Sequence, residues 1–450
     1  MPTPRPADLV LTGGTVLTFD ARDREADSLA VAGGRVVAVG DAEAFIGPDT
    51  RVVDLRGRTA LPGINDSHLH GAWLGALWPR TLLGSAPVGH AEPSVTDSAG
   101  PLVADAEGRR KAILHAGDIA ARLGITSYTE PGLGPGEDDG PTGCFGSAVL
   151  DEYAALAAEG LLRARVTVLR LFGELDGPSS PDAFAKGLTT APPQAVPRWL
   201  NVTGVKIFAD GIPPMRSAWT HHCYPDGTSG RLLVDGDHDP DREANLRAMI
   251  ALAHRAGHQI GVHATGDRTI EVVVDALADA IAEHGPAGRH YLIHGDLVPP
   301  PVLDRLPDLG IGLNAQPCIA VTTAPWLAAA LGEDVLRTAW PLREAFERGV
   351  RVCLSSDAPV LTPDWRHSIA AAARWLGLPA SRVLMRRLLR AHTVLPAHQD
   401  GAEDWKGTLE VGKAADLCVL ETNPLDVAPA DLPHVGVATT IVDGRIVFDA

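Results

Sequence analysis

The chain has 450 residues, 45% hydrophobic and 21% charged. That composition is globular rather than disordered, and the length suits one large barrel with a smaller domain or two to three ordinary domains. Its 56 acidic residues outnumber 39 basic ones, giving a net charge of −17, which argues against a nucleic-acid or anionic-membrane partner because both need a basic patch. Five scattered cysteines form no C-x-x-C pair, and "MPTPRPADLVLTGGTVLTFD" has no basic stretch leading into a long apolar one. With no apolar run long enough to span a bilayer, the expectation is a soluble cytoplasmic protein with reduced thiols.

The first sixty residues read as short strands and turns. "DLVLTGGTVLTF" alternates and breaks at Gly13–Gly14, "SLAVAGGRVVAVG" breaks at Gly33–Gly34 as a hairpin does, and "TRVVDLRGRTALPG" supplies a further strand. The middle of the chain alternates strand and helix. "GITSYTEPG", "RVTVLRLFG" and "GVKIFADG" are strands, and "DREANLRAMIALAHRAG" is a helix closed by Gly257. After the strand "HQIGVHATGD" comes a helix with an apolar stripe at Ile270, Val273, Val274, Leu277 and Ile281, ended by Gly285. "RHYLIHG" and "GIGLNAQP" are strands, "PLREAFERG" a helix, and "VRVCLSSDAP" a strand. The C-terminus returns to strands in "KAADLCVLE" and "ATTIVDGRIVFDA", the latter turning at Asp443–Gly444. Two stretches are irregular: residues 84 to 108, read as a loop at a barrel mouth, and "GLTTAPPQAVPRW". Repeated βα units argue for a parallel sheet, and the length favours a closed (β/α)8 barrel over an open doubly wound sheet.

Polar residues gather where such a barrel carries its chemistry, at the C-terminal strand ends. The first strand, "LPGINDSHLHG", ends in His68 and His70. If it runs on to His70, both imidazoles face one side and can grip one ion. By itself the pair fits either a metal site or chance in a chain with 17 histidines. Further strands bring Lys206, His263, His294 and Asp357. Singly, a strand-end histidine can bond a loop carbonyl and a strand lysine can neutralise a carboxylate such as Asp210. Together, six buried polar groups need partners, and a dication supplies one to all of them. A lysine ligates only as a free amine or as the carbamate formed with CO2.

The H-x-H pair, strand lysine, two later histidines and aspartate resemble the amidohydrolase superfamily. "GVHATGDRTIEVVVDAL", "WPLREAFERGVRVCLSSDAPV" and "GTLEVGKAADLCVLETNPL" resemble its branch called amidohydrolase family 3, or YtcJ-like. The resemblance spans nearly the whole chain. It implies an α/β fold: a TIM-type (β/α)8 barrel over residues 62–398 with a β-sandwich built from residues 1–61 and 399–450. It implies two divalent ions, zinc above all. His68 and His70 would hold the more buried ion, and His263 and His294 the second. Carboxylated Lys206 would bridge them, and Asp357 would contact the first ion and carry the proton. Glu130 is an alternative acidic ligand in place of the carbamate. Asp267 and Arg268 fall in a phrase typical of the branch, in supporting or substrate-contact roles. One departure stands out: "QPCI" puts Ile319 where relatives often carry histidine.

The implied reaction is hydrolysis of a C–N bond in an amide, N-formyl amine or cyclic amide, with Asp357 as general base and then general acid. A mononuclear deaminase-type or ester hydrolase, and a non-catalytic scaffold of the same fold, are the alternatives; metal per chain separates them. The loop "DGIPPMRSAWTHHCYPDGTSGRLL" is the expected specificity loop. Met215, Trp219 and Tyr224 would supply apolar surface and Arg216, His221 and His222 polar contacts, unless they only pack the loop onto the barrel. Trp73, Trp78, Arg268 and Gln316 complete the candidate wall, which would favour an aromatic or otherwise apolar substrate group. The partner expected is a small-molecule substrate, with no nucleic acid or membrane and a homodimer as the open oligomeric state.

Overall fold

Gly13 and Gly14 decide where the N-terminal strands go. Leu9–Thr12 belongs to one sheet and Thr15–Leu17 to another, so the chain must change sheets within two residues. Gly13 takes φ +72°, and a Cβ on Gly14 would lie 2.3 Å from the Arg58 carbonyl oxygen, so only glycine fits this crossing. The structure, a computed structural model, describes residues 5–83, 101–286 and 288–450.

The first sheet has four strands in the order Arg35–Val39, Leu29–Ala32, Leu9–Thr12, Arg51–Asp54. The second has six: Arg445–Asp449, Val437–Val442, Leu417–Leu420, Thr59–Pro62, Thr15–Leu17 and Glu25–Ala26. Strands from both chain ends thus interleave. Leu9, Leu29 and Val31 of the first sheet share one core with Val16, Leu417 and Ile441 of the second, which is the sandwich arrangement. The glycine pair at 33–34 and Asp443–Gly444 form hairpins, all four residues with positive φ.

The middle of the chain forms eight parallel strands in sequential order. We number them β1 (Ile64–Asp66), β2 (Ile125–Leu133), β3 (Arg165–Leu171), β4 (Leu200–Phe208), β5 (Gln259–Ala264), β6 (Tyr291–His294), β7 (Gly312–Ala315) and β8 (Val352–Leu354). The ring closes just past the ends of β1 and β8 through a parallel bridge between Leu69 and Ala358. There Asp357 N donates to His68 O at 2.8 Å and His70 N to Ala358 O at 2.9 Å. The fold is therefore a (β/α)8 barrel with a terminal β-sandwich. Helices surround it: Ile270, Val273, Val274 and Leu277 of the helix Asp267–His284 are all fully buried, as their spacing predicts.

Three local expectations need correction. The strand carrying the H-x-H pair stops at Asp66, because its carboxylate accepts from His68 N at 3.3 Å and from Ser356 N at 3.1 Å, bending the chain. Likewise β8 stops at Leu354 and Asp357 follows in a turn. Of the expected mouth loop, residues 84–100 lie outside the described residues. Its last three residues begin the helix Ala106–Arg122, capped by Asp105, whose side chain accepts from Gly108 N at 2.8 Å. Among the described residues no helix is long and apolar enough to cross a membrane.

Candidate active site

The bend after Asp66 does the work that a continuous strand was expected to do. Leu69 re-pairs across the seam with Ala358, and the flanking rings turn onto one carboxylate. His68 Nε2 lies 3.1 Å and His70 Nε2 3.3 Å from Asp357 Oδ1. His294 closes the group: its ring is 5.6 Å from that of His68 and 4.5 Å from that of His263. Ligand atoms of His68, His294 and Asp357 all fall within 4.8 Å of one another. Lys206 is buried, its Nζ 4.5 Å from the centre of the Phe208 ring. All six side chains line one cavity of about 500 Å³. His294 (φ 71°) and Asp357 (φ 56°) hold left-handed backbone, which costs a non-glycine residue roughly 1–3 kcal/mol and gathers at functional sites.

What stands behind each ring fixes which nitrogen faces the cavity. His70 Nδ1 donates to Glu130 Oε1 at 3.1 Å, and Glu130 Oε2 accepts from Gly71 N at 2.6 Å and from the Tyr153 hydroxyl at 3.3 Å. His294 Nδ1 lies 2.8 Å from Gln316 Oε1, while Gln316 Nε2 donates to Asn314 Oδ1 and to Ser355 Oγ, both at 2.9 Å. Because that amide nitrogen only donates, its oxygen must receive the His294 Nδ1–H. In both cases Nε2 is left for the cavity, the arrangement that orients metal-binding histidines. Asp210, fully buried, accepts from the backbone N–H groups of Trp219, Thr265 and Gly266 at 2.9–3.1 Å and sits 3.7 Å from His263 Nδ1.

The charge states suit a cation. Burial holds His68 down to about 3 and His294 well below its ordinary value, so both are neutral imidazoles. Burial opposes charge on Asp357 too, yet His68 and His70 keep it ionised, well below the usual carboxylate range. Burial works against charge on His70 as well, but Asp357 and Glu130 overcome it and raise the ring to about 9. The carboxylates that hold a proton there would equally hold a metal cation. Burial draws Lys206 down to about 8. The Nδ1 atoms of His68 and His263 are buried without a hydrogen-bond partner among the described residues. Neutral imidazoles around one ionised carboxylate are a donor set that fits a zinc-like divalent ion.

Of the expected substrate contacts, Trp73, Met215 and Arg216 line the cavity. Trp219, His222, Arg268 and Gln316 do not. Trp219 is buried beneath the Arg268 guanidinium, 4.0 Å from its ring, and His222 faces solvent. Tyr224 is buried with its hydroxyl on Ala218 O at 2.8 Å, and His221 bonds Glu271. These residues pack the loop onto the barrel, and Gln316 supports His294. Trp78 is not among the cavity-lining residues. Glu130 stands behind His70 with both oxygens engaged in hydrogen bonds and is not among the cavity-lining residues. Ile319, singled out in "QPCI", lines the cavity; sequence reasoning missed its neighbours Thr323 and Trp326 on the helix Pro317–Leu331 and the carboxylates Asp176 and Asp296. That helix is apolar nearly all round, so its spacing does not mark which face meets the cavity.

Comparison with known proteins agrees with this architecture. Residues 88–448 match the amidohydrolase family. The protein LONG AFTER FAR-RED 3 of Arabidopsis thaliana is 24% identical over 98% of this chain and 92% of its own. The N-substituted formamide deformylase of Arthrobacter pascens is 23% identical over 98% of both. A metal-dependent hydrolase of Pyrococcus furiosus superposes with a TM-score of 0.71 at 22% identity, covering 93% of this chain and 100% of that one. With four-fifths of its length matched by one family, and that stretch carrying seven of the eight barrel strands, the chain belongs to the amidohydrolase family.

Proposed function

We propose that this protein hydrolyses a C–N bond in an amide, N-formyl amine or cyclic amide, using divalent ions, zinc foremost, held by His68, His70, Lys206, His263, His294 and Asp357. The observation that carries the reading is the convergence of those six side chains on one cavity, with Asp357 Oδ1 within 3.3 Å of both His68 and His70. The full-length likeness to a deformylase of N-substituted formamides supports the amide class. When bound, such ions supply an acidified water and a Lewis acid at the substrate carbonyl. Asp357, ionised and facing the cavity, takes the proton from the attacking water and returns it to the leaving nitrogen. Glu130 and Gln316 hold His70 and His294 in the tautomers the site needs. In this reading Lys206, as its carbamate, would be a further holder of these ions. It is buried, and among the described residues no carboxylate lies within ion-pair distance of its amine. As a carbamate, Lys206 would offer an anion with two donor oxygens in place of a buried cation.

A mononuclear reading has one observation in its favour: the tightest donor group is His68, His294 and Asp357 alone. Metal analysis of the purified chain, coupled to a hydrolysis screen of amides, lactams and N-formyl amines on metal-loaded protein, tests both readings. About two ions per chain with amide turnover is the expected result. One fully occupied ion beside a free Lys206 amine selects the mononuclear site. No turnover of any amide at full metal occupancy overturns the C–N reading.

A further inference from the structure

The cavity has two unlike ends. One carries the six candidate ligands. The other is formed by the helix Pro317–Leu331, which turns Ile319, Thr323, Trp326 and Ala330 toward it, an i, i+4, i+7, i+11 stripe along one helix face. The turn Pro213–Met215 packs against the same helix. It brings Met215 and Ile212 to the mouth, 62% and 37% exposed. Apolar side chains left open to water on both sides of a cleft, beside a polar reaction centre, are what a pocket for an apolar group looks like.

The charges sharpen this. Besides the histidines, the lining cations are Lys206, among the candidate ligands, and Arg216. Arg216 is already paired with Asp226 at 3.1 Å and about half exposed. Asp176 and Asp296 also face the cavity. A substrate carboxylate entering here finds no uncommitted cationic side chain among the described lining residues and meets the further carboxylate of Asp176. We propose that the substrate is a neutral amide bearing a bulky apolar group. That group seats on the Ile319–Trp326 face opposite Met215, and the scissile carbonyl points toward the histidine cluster. This inference deepens the C–N hydrolase reading and rests on it.

Four formamides test it: N-methyl-, N-butyl- and N-(2-phenylethyl)formamide, and N-formylphenylalanine, which is the phenylethyl compound with a carboxylate added. Dissociation constants would be measured by calorimetry on the zinc-loaded Asp357→Asn full chain, and kcat/KM on the zinc-loaded wild type. The expected result is that the phenylethyl compound binds roughly 10- to 100-fold more tightly than the methyl compound, since each buried methylene contributes a few-fold. The added carboxylate should remove most of that gain. Trp326→Ala should abolish the gain and Trp326→Phe retain most of it, with melting temperatures showing both variants folded. Three results would overturn the proposal: methyl and phenylethyl compounds bound alike, N-formylphenylalanine bound as tightly as its uncharged partner, or an intact gain in Trp326→Ala. The binding gradient with no turnover of any amide would sustain the apolar pocket while rejecting C–N hydrolysis. Turnover without the gradient would do the reverse.

Discussion

In the proposed reaction, Asp357 is the residue on which the chemistry turns. It sits in left-handed backbone, buried, with one oxygen shared between two imidazoles. Asp357→Asn keeps the shape and leaves four imidazoles to bind metal, but an amide cannot shuttle a proton at neutral pH. Metal content should be largely spared while kcat falls by about 10²–10⁴-fold; near-normal turnover would remove Asp357 from the mechanism. Glu130 offers a subtler test. Glu130→Gln can still accept from His70 Nδ1 but loses the charge that makes His70 a strong donor. Metal affinity, read by competition with a chelating dye, should weaken about 10–100-fold, and an unchanged affinity would reduce Glu130 to packing. The residues of the site differed in how far the sequence exposed them. His68, His263, His294 and Lys206 were legible because a strand end tells which rim a side chain joins. Gln316 was expected in the substrate wall rather than behind His294, and Ser355 was not singled out, because their partners His294 and Gln316 lie 22 and 39 residues away. Only the closed barrel brings such pairs together.

At the scale of elements, periodicity and glycine placement carried most of the information. The stripe from Ile270 to Leu277 and the breaks at Gly33–Gly34 and Asp443–Gly444 each correspond to an observed helix or hairpin. What periodicity hid was where β1 and β8 stop. "LPGINDSHLH" reads as one strand, and only the contact of Asp66 with Ser356, 290 residues on, shows why it bends. Nor does "TGGT" say that its two flanks join different sheets. Gly14→Ala probes that crossing. The added methyl would meet the Arg58 carbonyl oxygen at 2.3 Å and Leu55 Cβ at 2.5 Å, a backbone atom and a core Cβ that cannot swing aside. A loss of about 1–3 kcal/mol is expected from such overpacking, seen as a lower urea midpoint with metal per folded chain unchanged. A midpoint equal to wild type would mean the two sheets can separate freely there.

At the scale of the whole molecule, the sandwich and the barrel are joined by buried polar contacts that neither half announces in sequence. Arg165, at the start of β3, donates to both oxygens of Asp416 at 2.7 and 2.9 Å and to Asp443 at 3.0 Å, with its guanidinium 4.8 Å from the Trp199 ring. Arg165→Ala leaves Asp416 buried and unpaired, which should cost about 3–5 kcal/mol. Adding Asp416→Ala should recover part of that loss, whereas strict additivity in the double variant would show the pair to be uncoupled. Part of the molecule's response to acid lies elsewhere, in a histidine relay behind the barrel. Ile260 N donates to His290 Nδ1 at 3.1 Å, so His290 carries its proton on Nε2. That proton is donated to His254 Nδ1 at 2.8 Å, and His254 Nε2–H reaches Gly285 O at 3.0 Å. Every position in this relay requires neutral His290, and burial holds that ring down to about 4. In the unfolded chain it titrates near 6.5. Between those values the unfolded state binds the extra proton, so stability is complete above about pH 6.5 and declines as the pH falls toward 4. The whole effect is roughly 3 kcal/mol. Buried His392, held down to about 3, adds to acid sensitivity in the same direction, so the test is a difference. Urea unfolding of wild type and His290→Gln from pH 7.5 to 4.5 should show a steeper loss in the wild type. Parallel curves would mean that His290 takes no part in acid unfolding.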